Sequence, residues 1–301
     1  MNGILNILKP PGMTSHDVVS FVRKNIKVKK VGHTGTLDPG AAGVLPICIG
    51  KATKISRFII ESYKEYRAEL VLGVSTDTHD NYGQTIKKTD IEIPINIMDS
   101  EINKVFNEFK GEIYQIPPMY SAIKYRGKPL YKYAREGKTV KRKERKVIIK
   151  DINIVHIFYP NRILFDVICS SGTYVRTLCN DIGEKLGCGG HMSFLIRKAV
   201  GDFIINDSIL LEEFELLLNE NKLDKIIYPL DYPLKDLHYA VVPDNMLQRT
   251  RNGNYIYDFY MPKNNKLKND QFIRIYDQKN NFIAIGKLKD SGYLVPVNVL
   301  F

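Results

Sequence analysis

Apolar residues recur at helical spacing near the start of the chain. Val18, Val22 and Ile26, with Val19 beside them, follow Thr14-Ser15-His16-Asp17, the pattern of a capped helix start. Val44-Leu45-Pro46-Ile47-Cys48-Ile49 is an unbroken apolar run ending at Gly50 and predicts a short buried strand. From Tyr66 to Leu72 apolar positions alternate with Arg67 and Glu69, as in a half-buried strand. Ile102, Val105, Phe106 and Phe109 make one helical stripe, with Asp99 or Ser100 as its cap and Gly111 as its stop. Val147 to Ile157 and Ile163 to Cys169 read as strands. Val175, Leu178, Ile182 and Leu186 form the stripe of a further helix that starts near Tyr174 and ends at Gly187. Strands and helices mix without a regular strand–helix–strand rhythm, which points to an α+β fold.

Past Tyr232-Pro233-Leu234 the texture changes to short alternating runs. Phe272 to Tyr276 and Phe282 to Ile285 flank Asp277-Gln278-Lys279-Asn280-Asn281, a hairpin loop by composition, and Leu294 to Leu300 gives another strand. Residues 235–301 therefore read as a small β domain following a larger unit, 1–234. A chain of 301 residues has room for both. No apolar run reaches the roughly 20 residues needed to cross a bilayer. Met1 to Asn6 lacks the charged start and apolar core of a signal peptide. Cys48, Cys169, Cys179 and Cys188 are scattered, without metal or redox spacing. The expectation is a cytoplasmic protein with buried free thiols.

Charge sharpens the picture. The net charge is +11, and the stretch Lys124 to Lys150 alone holds twelve Lys/Arg against Glu136 and Glu144. Tyr120, Tyr125, Tyr131 and Tyr133 lie in or just ahead of it. Cations that neutralise phosphates, interleaved with rings that stack on bases, suit a nucleic acid. A solvated basic loop without a partner has the same composition.

One loop stands out chemically. In Gly32-His33-Thr34-Gly35-Thr36-Leu37-Asp38-Pro39-Gly40-Ala41-Ala42-Gly43, small residues surround the single carboxylate of Asp38. Pro39 pushes Asp38 toward extended geometry, so the side chain is presented on a loop of little bulk. An ordinary Asp-Pro-Gly turn accounts for the same residues. Gly50-Lys51-Ala52-Thr53 fails as a phosphate loop, because Leu45 stands where the first Gly belongs and Ala52 where Ser/Thr follows the Lys. The six histidines lack metal-ligand spacing, so no metal is expected. No Gly-x-Ser-x-Gly elbow appears.

Gly32 to Pro39, followed by Ala42-Gly43-Val44-Leu45-Pro46, resembles the catalytic motif of the tRNA pseudouridine synthase B family. Lys9-Pro10-Pro11-Gly12-Met13-Thr14-Ser15, Gly50 to Lys54, Lys64-Glu65-Tyr66-Arg67, and Leu72-Gly73 with Thr76-Asp77-Thr78 and Asp80 match in order. So do Gln115 to Lys124 and Ser171-Gly172-Thr173-Tyr174-Val175-Arg176. The resemblance covers roughly residues 3 to 203. Gly40 and Ala42 depart from it where Leu and Thr are common, Met192 replaces a usual Leu, and Lys198 stands where a second Arg is frequent.

The resemblance implies a pseudouridine synthase fold, with a central mixed, mostly antiparallel sheet flanked by helices and a PUA-like C-terminal β domain. It implies isomerisation of uridine 55 in the tRNA T-loop by base flipping, without cofactor or guide RNA. Asp38 would be the covalent catalyst, ionised with help from Arg176, and Tyr66 would stack on the target base and accept its C5 proton. His33, Lys9, Asp80, Tyr174 and Leu195 would contact substrate. The expected partner is the T-stem-loop of tRNA, with no membrane, no obligatory protein partner and a monomeric state. A non-catalytic RNA chaperone and a guide-directed enzyme of the dyskerin type are the alternatives.

Neutralising Lys141, Arg142, Lys143, Arg145 and Lys146 together is expected to weaken RNA binding. It should also lower the slope of log affinity against log salt by about one unit per lost phosphate contact. Filter binding over a salt series reads this, and an unchanged slope contradicts it.

Overall fold

The strand-like segments pair into one large sheet in a computed structural model that describes residues 1–89, 95–262, 269–290 and 292–301. Among the described residues this sheet has ten strands. Eight run in the order Ile227–Tyr228, Gly3–Lys9, Ala42–Ile49, Gly190–Val200, Lys64–Leu72, Arg162–Cys169, Arg145–Phe158 and Gly111–Gln115. Val31–His33 and Phe203–Ile204 are side branches. Pairing is antiparallel except where Ala42–Ile49 lies beside Gly190–Val200. That parallel seam is short, with Ile196 opposite Ala42 and Arg197 opposite Gly43, and the Asp38 loop enters immediately ahead of it. The mixed, mostly antiparallel sheet expected from the resemblance is present.

Burial explains the two kinds of strand pattern. Along Ala42–Ile49, Leu45, Ile47 and Ile49 pack with the helix Ser15–Ile26 and Phe214, while Val44 and Cys48 pack with Ala52, Ile55 and Phe203. Both faces are covered, so the run is continuously apolar. Lys64–Leu72 buries one face only. Ala68, Leu70 and Leu72 meet the helical stripes Ile102-Val105-Phe106 and Val175-Leu178-Ile182. On the other face Arg67 makes a bidentate bond to Asp166, at 2.8 Å for each contact. The four cysteines are buried and free.

The first helix carries a complete capping box, in which Thr14 Oγ1 accepts from Asp17 N–H and the Asp17 carboxylate accepts from Thr14 N–H. The helix Ile95–Glu108 differs from expectation. It begins ahead of Asp99 and Ser100, which are interior positions and not caps. The sequence spacing of Ile95, Met98 and Ile102 continues the apolar stripe upstream and outweighs the capping preference of Asp and Ser.

A second sheet orders Tyr239–Val242, Phe272–Asp277, Phe282–Leu288 and Leu294–Val299, its first pair parallel and the others antiparallel. Asp277 shapes the expected hairpin loop by accepting from the N–H groups of Lys279 and Asn281. This small unit is docked and not free-standing. Phe272, Phe282, Ile285 and Leu300 share a cluster with Ile4, Val44 and Cys48 of the main sheet.

Gly43 is where the seam demands glycine. Its φ is +118°, and a Cβ would lie 2.3 Å from Arg197 O and 2.5 Å from Arg197 N. Gly43→Ala is expected to cost about 1–3 kcal/mol, read as a lower midpoint of thermal unfolding. An unchanged midpoint contradicts the close approach.

Candidate active site

The loop ahead of the seam is pinned from several directions. Thr34 N–H and Oγ1 both donate to Pro46 O. The buried Ser15 hydroxyl accepts from Leu37 N–H at 2.8 Å and donates to Leu37 O at 3.2 Å. Gly12 N–H donates to Pro39 O at 2.9 Å, and Ala41 N–H closes a turn onto Asp38 O at 3.0 Å. Asp at the first position and Pro at the second suit such a turn. Lys9 completes the fastening: its ammonium donates to Pro10 O, Met13 O and Pro39 O at 2.8, 2.6 and 3.3 Å. Burial lowers the Lys9 pKa to about 8, against the opposing pull of Asp38.

With its backbone held, Asp38 keeps its carboxylate partly open to solvent, the side chain 37% exposed. Arg176 sits in the first turn of the helix Val175–Lys185, its side chain only 6% exposed. Its Nη1 lies 3.4 Å from Asp38 Oδ2 and 3.3 Å from Asp80 Oδ2, while Nη2 donates to Tyr120 O at 2.5 Å. Asp80 is itself oriented, since its Oδ1 accepts from Thr78 Oγ1 at 2.6 Å and from Tyr82 N–H at 3.0 Å. Desolvation raises the Asp38 pKa above the ordinary carboxylate value, Arg176 opposes the rise, and the like charge of Asp80 adds to it. The guanidinium therefore restrains protonation without cancelling the effect of burial.

A second row crosses the sheet beside this group. Arg197 stands between Gly43 on one neighbour and Tyr66 on the other. It is 1% exposed, with Nε donating to Val44 O at 2.7 Å and Nη2 to Gly35 O at 3.1 Å. The Tyr66 hydroxyl is hydrogen-bonded to the same guanidinium, and burial pushes the Tyr66 pKa up in spite of it. Leu195, two residues before Arg197 and opposite Ala68, shares an apolar cluster with Leu37, Ala41 and Tyr66. Tyr174 caps the Arg176 helix; Gln115 accepts from its N–H at 3.0 Å and donates to its C=O at 3.2 Å. His33 Nδ1 accepts from Gly35 N–H at 3.2 Å, and burial lowers its pKa, favouring the neutral ring.

Asp38, Asp80 and Tyr174 are thus gathered around the Arg176 guanidinium, the Tyr174 ring centroid 6.0 Å from its Cζ, with Tyr66 and Leu195 in the adjoining row. Lys9 and Asp80, expected to touch substrate, are both buried and hold other parts of the site in place. Arg197 was missed as a site residue. Its signal was a cation two positions after Leu195, on the buried phase of a strand.

The Lys124–Lys150 stretch is less uniformly free than its charge suggests. Arg142 Nη1 turns inward to Pro117 O, Lys146 pairs with Glu112 at 2.6 Å, and Lys128 and Lys138 both pair with Glu136. Lys141 and Lys143 remain exposed.

Comparison with known proteins bears on this arrangement. The family model described as TruB family pseudouridylate synthase (N terminal domain) matches residues 23–175. A tRNA pseudouridylate synthase B C-terminal domain model matches residues 176–235. The tRNA pseudouridine synthase B of Alkaliphilus oremlandii (strain OhILAs) is 50% identical over 293 residues, 97% of this chain and 95% of that protein. The one from Clostridioides difficile (strain 630) is 49% identical over 299 residues, 99% and 98% of the respective chains. Among solved structures, an H/ACA RNP bound to a substrate RNA containing 2′-deoxyuridine aligns with TM-score 0.75 at 25% identity, covering 99% of this chain and 85% of that one. A Cbf5-Nop10-Gar1 complex aligns with TM-score 0.74 at 27% identity, covering 99% and 83%.

The electrostatics yield a titration test. The Asp38 carboxyl, followed by carbon-13 NMR, should have its midpoint above 3.8, and Arg176→Gln should move it further up by removing the opposing cation. A midpoint at or below 3.8, or a downward shift in the variant, contradicts this.

Proposed function

Because this chain belongs to the TruB family of pseudouridylate synthases, and so is an isomerase acting on RNA uridine, we propose that it converts uridine 55 in the T-loop of tRNA to pseudouridine with Asp38 as the nucleophile. The observation that carries this reading is the Asp38 carboxylate, partly open to solvent and set against the buried Arg176 guanidinium. The reaction breaks the bond from uracil N1 to the ribose, forms one from C5, and moves a proton from C5 to N1. It is balanced in atoms and electrons, so no cofactor is called for. An ionised Asp38 attacks either the uracil ring or the sugar carbon, and both routes need a carboxylate kept charged. Arg176 serves that need, and Asp80 aims Arg176.

Tyr66 offers a ring face against which the extruded base stacks. Burial keeps it a neutral phenol, which suits stacking. It would take the C5 proton only as phenolate, a form that Arg197 favours and burial opposes. In this reading Tyr174 and Leu195 line the pocket that receives the base, and His33, a neutral ring, helps displace the nucleotide from its loop. Extruding a stacked base costs a few kcal/mol, offset by contacts between phosphates and the basic Lys124–Lys150 stretch. In this reading residues 1–234 are the catalytic unit and 235–301 a PUA-like accessory. The protein acts in the cytoplasm as a monomer, without a protein partner.

The likeness to the H/ACA ribonucleoprotein structure favours a second reading, a guide-directed enzyme of the dyskerin type. Identities of 49–50% to the bacterial tRNA enzymes, against 25–27% to those structures, weigh toward the stand-alone form. Activity of the purified protein alone on a T-stem-loop decides between them. Release of tritium from 5-labelled uridine in that RNA should be seen with the wild type and lost in Asp38→Asn, while tRNA binding persists. Full activity of Asp38→Asn defeats the assignment. A variant that loses tritium release but still refolds tRNA would reveal a chaperone role that is separate from catalysis.

A further inference from the structure

Gly40 is not a glycine for reasons of backbone freedom, because its φ is not in the positive range that characterises fifteen other glycines among the described residues. Space explains it. A Cβ at Gly40 would lie 2.2 Å from the Tyr82 hydroxyl oxygen and 2.4 and 2.5 Å from Cε2 and Cζ of the same ring. The tip of the Tyr82 phenol therefore rests on the Cα of Gly40, two residues past Asp38. The rest of the ring faces solvent, and the residue is 79% exposed.

The base on which this ring stands is well held. Tyr82 N–H donates to the carboxylate of Asp80, the residue that also holds Arg176. Asn81 Nδ2 donates to Ser193 O at 3.0 Å, and its Oδ1 lies 2.8 Å from His191 Nε2. Gln84 N–H donates to Asp77 Oδ1 at 2.8 Å. The strand that follows, Thr85–Lys88, is exposed throughout and carries Lys87 and Lys88. A flat ring, left in water on an ordered loop, offers a stacking face to an exposed base.

We propose that Tyr82 stacks on the base of a nucleotide adjacent to the uridine delivered to Asp38. The proposal rests on the extrusion reading given above and adds a contact for the neighbour that extrusion leaves unstacked. When one base leaves a loop, its neighbour loses a stacking surface, and an aromatic side chain replaces it without regard to base identity. Gly40, two residues past Asp38, has no side chain to displace the tip of the Tyr82 ring.

The test is a binding cycle. T-arm stem-loops are made intact, or with an abasic site at the 5′ neighbour or the 3′ neighbour of uridine 55, and titrated with wild type, Tyr82→Phe and Tyr82→Ala. On intact RNA, Tyr82→Ala should bind about 5- to 100-fold more weakly, and Tyr82→Phe should match wild type. The Tyr82→Ala penalty should vanish on one of the two abasic RNAs. Wild-type binding by Tyr82→Ala, an equal loss in Tyr82→Phe, or the same penalty on both abasic RNAs overturns the proposal. Failure of the wild type to convert uridine 55 in the intact RNA would sink the reaction assignment alone, because stacking is read from binding.

Discussion

A single buried guanidinium organises the centre of this molecule. Arg176 is nearly excluded from water, and a cation in that position needs compensating charge and acceptors. It finds them on three separate stretches of chain: the Asp38 loop, the Asp80 loop and the segment at Tyr120. Each is otherwise held by its own local bonds. The demand of one cation thus draws together pieces that lie far apart in sequence. It also sets the electrostatics of Asp38, whose carboxyl would be still harder to ionise without the charge beside it.

Around that centre the labour is divided between side chains that face the cleft and side chains that hold them. Lys9, Ser15, Thr34 and Gly12 fasten the backbone of the Asp38 loop and leave the carboxylate as its outward feature. Arg197 fills the short parallel seam, tying Val44 and Gly35 to the Tyr66 hydroxyl across three neighbouring stretches. Two arginines thus serve two rows, one beside the carboxylate and one beside the aromatic ring. Gly43 constrains the second row, because only a residue without a side chain lets the seam close on Arg197.

Much of this was legible in the sequence, for physical reasons that differ from place to place. The period of two in Tyr66–Leu72 and the continuous run in Val44–Ile49 reported correctly which strands bury one face and which bury two. The prominence of Asp38 was legible because small residues and a proline surround it. The helix start at Asp99 was misread, since local capping preference cannot see an apolar stripe that continues upstream. Lys9 and Asp80 lie beside the Asp38 loop and the Arg176 guanidinium, but their burial is a property of the folded chain that no local pattern reports. Arg197 escaped notice because a charged residue on a strand usually marks the solvent face, and here the acceptors come from carbonyls distant in sequence. Gly40 stood out as a departure from the family pattern, and the Tyr82 ring that lies over it became visible only in three dimensions.

What matters most is where a pyrimidine sits when RNA is bound. A crystal structure of the protein with a T-arm stem-loop is the most direct measurement. The account predicts uridine 55 rotated out of its stack, its ring against Tyr66 and within about 3.5 Å of the Asp38 carboxylate, the separation of a near-attack geometry. A uridine still stacked in its loop, or extruded into a different part of the surface with Asp38 left facing solvent, would contradict it.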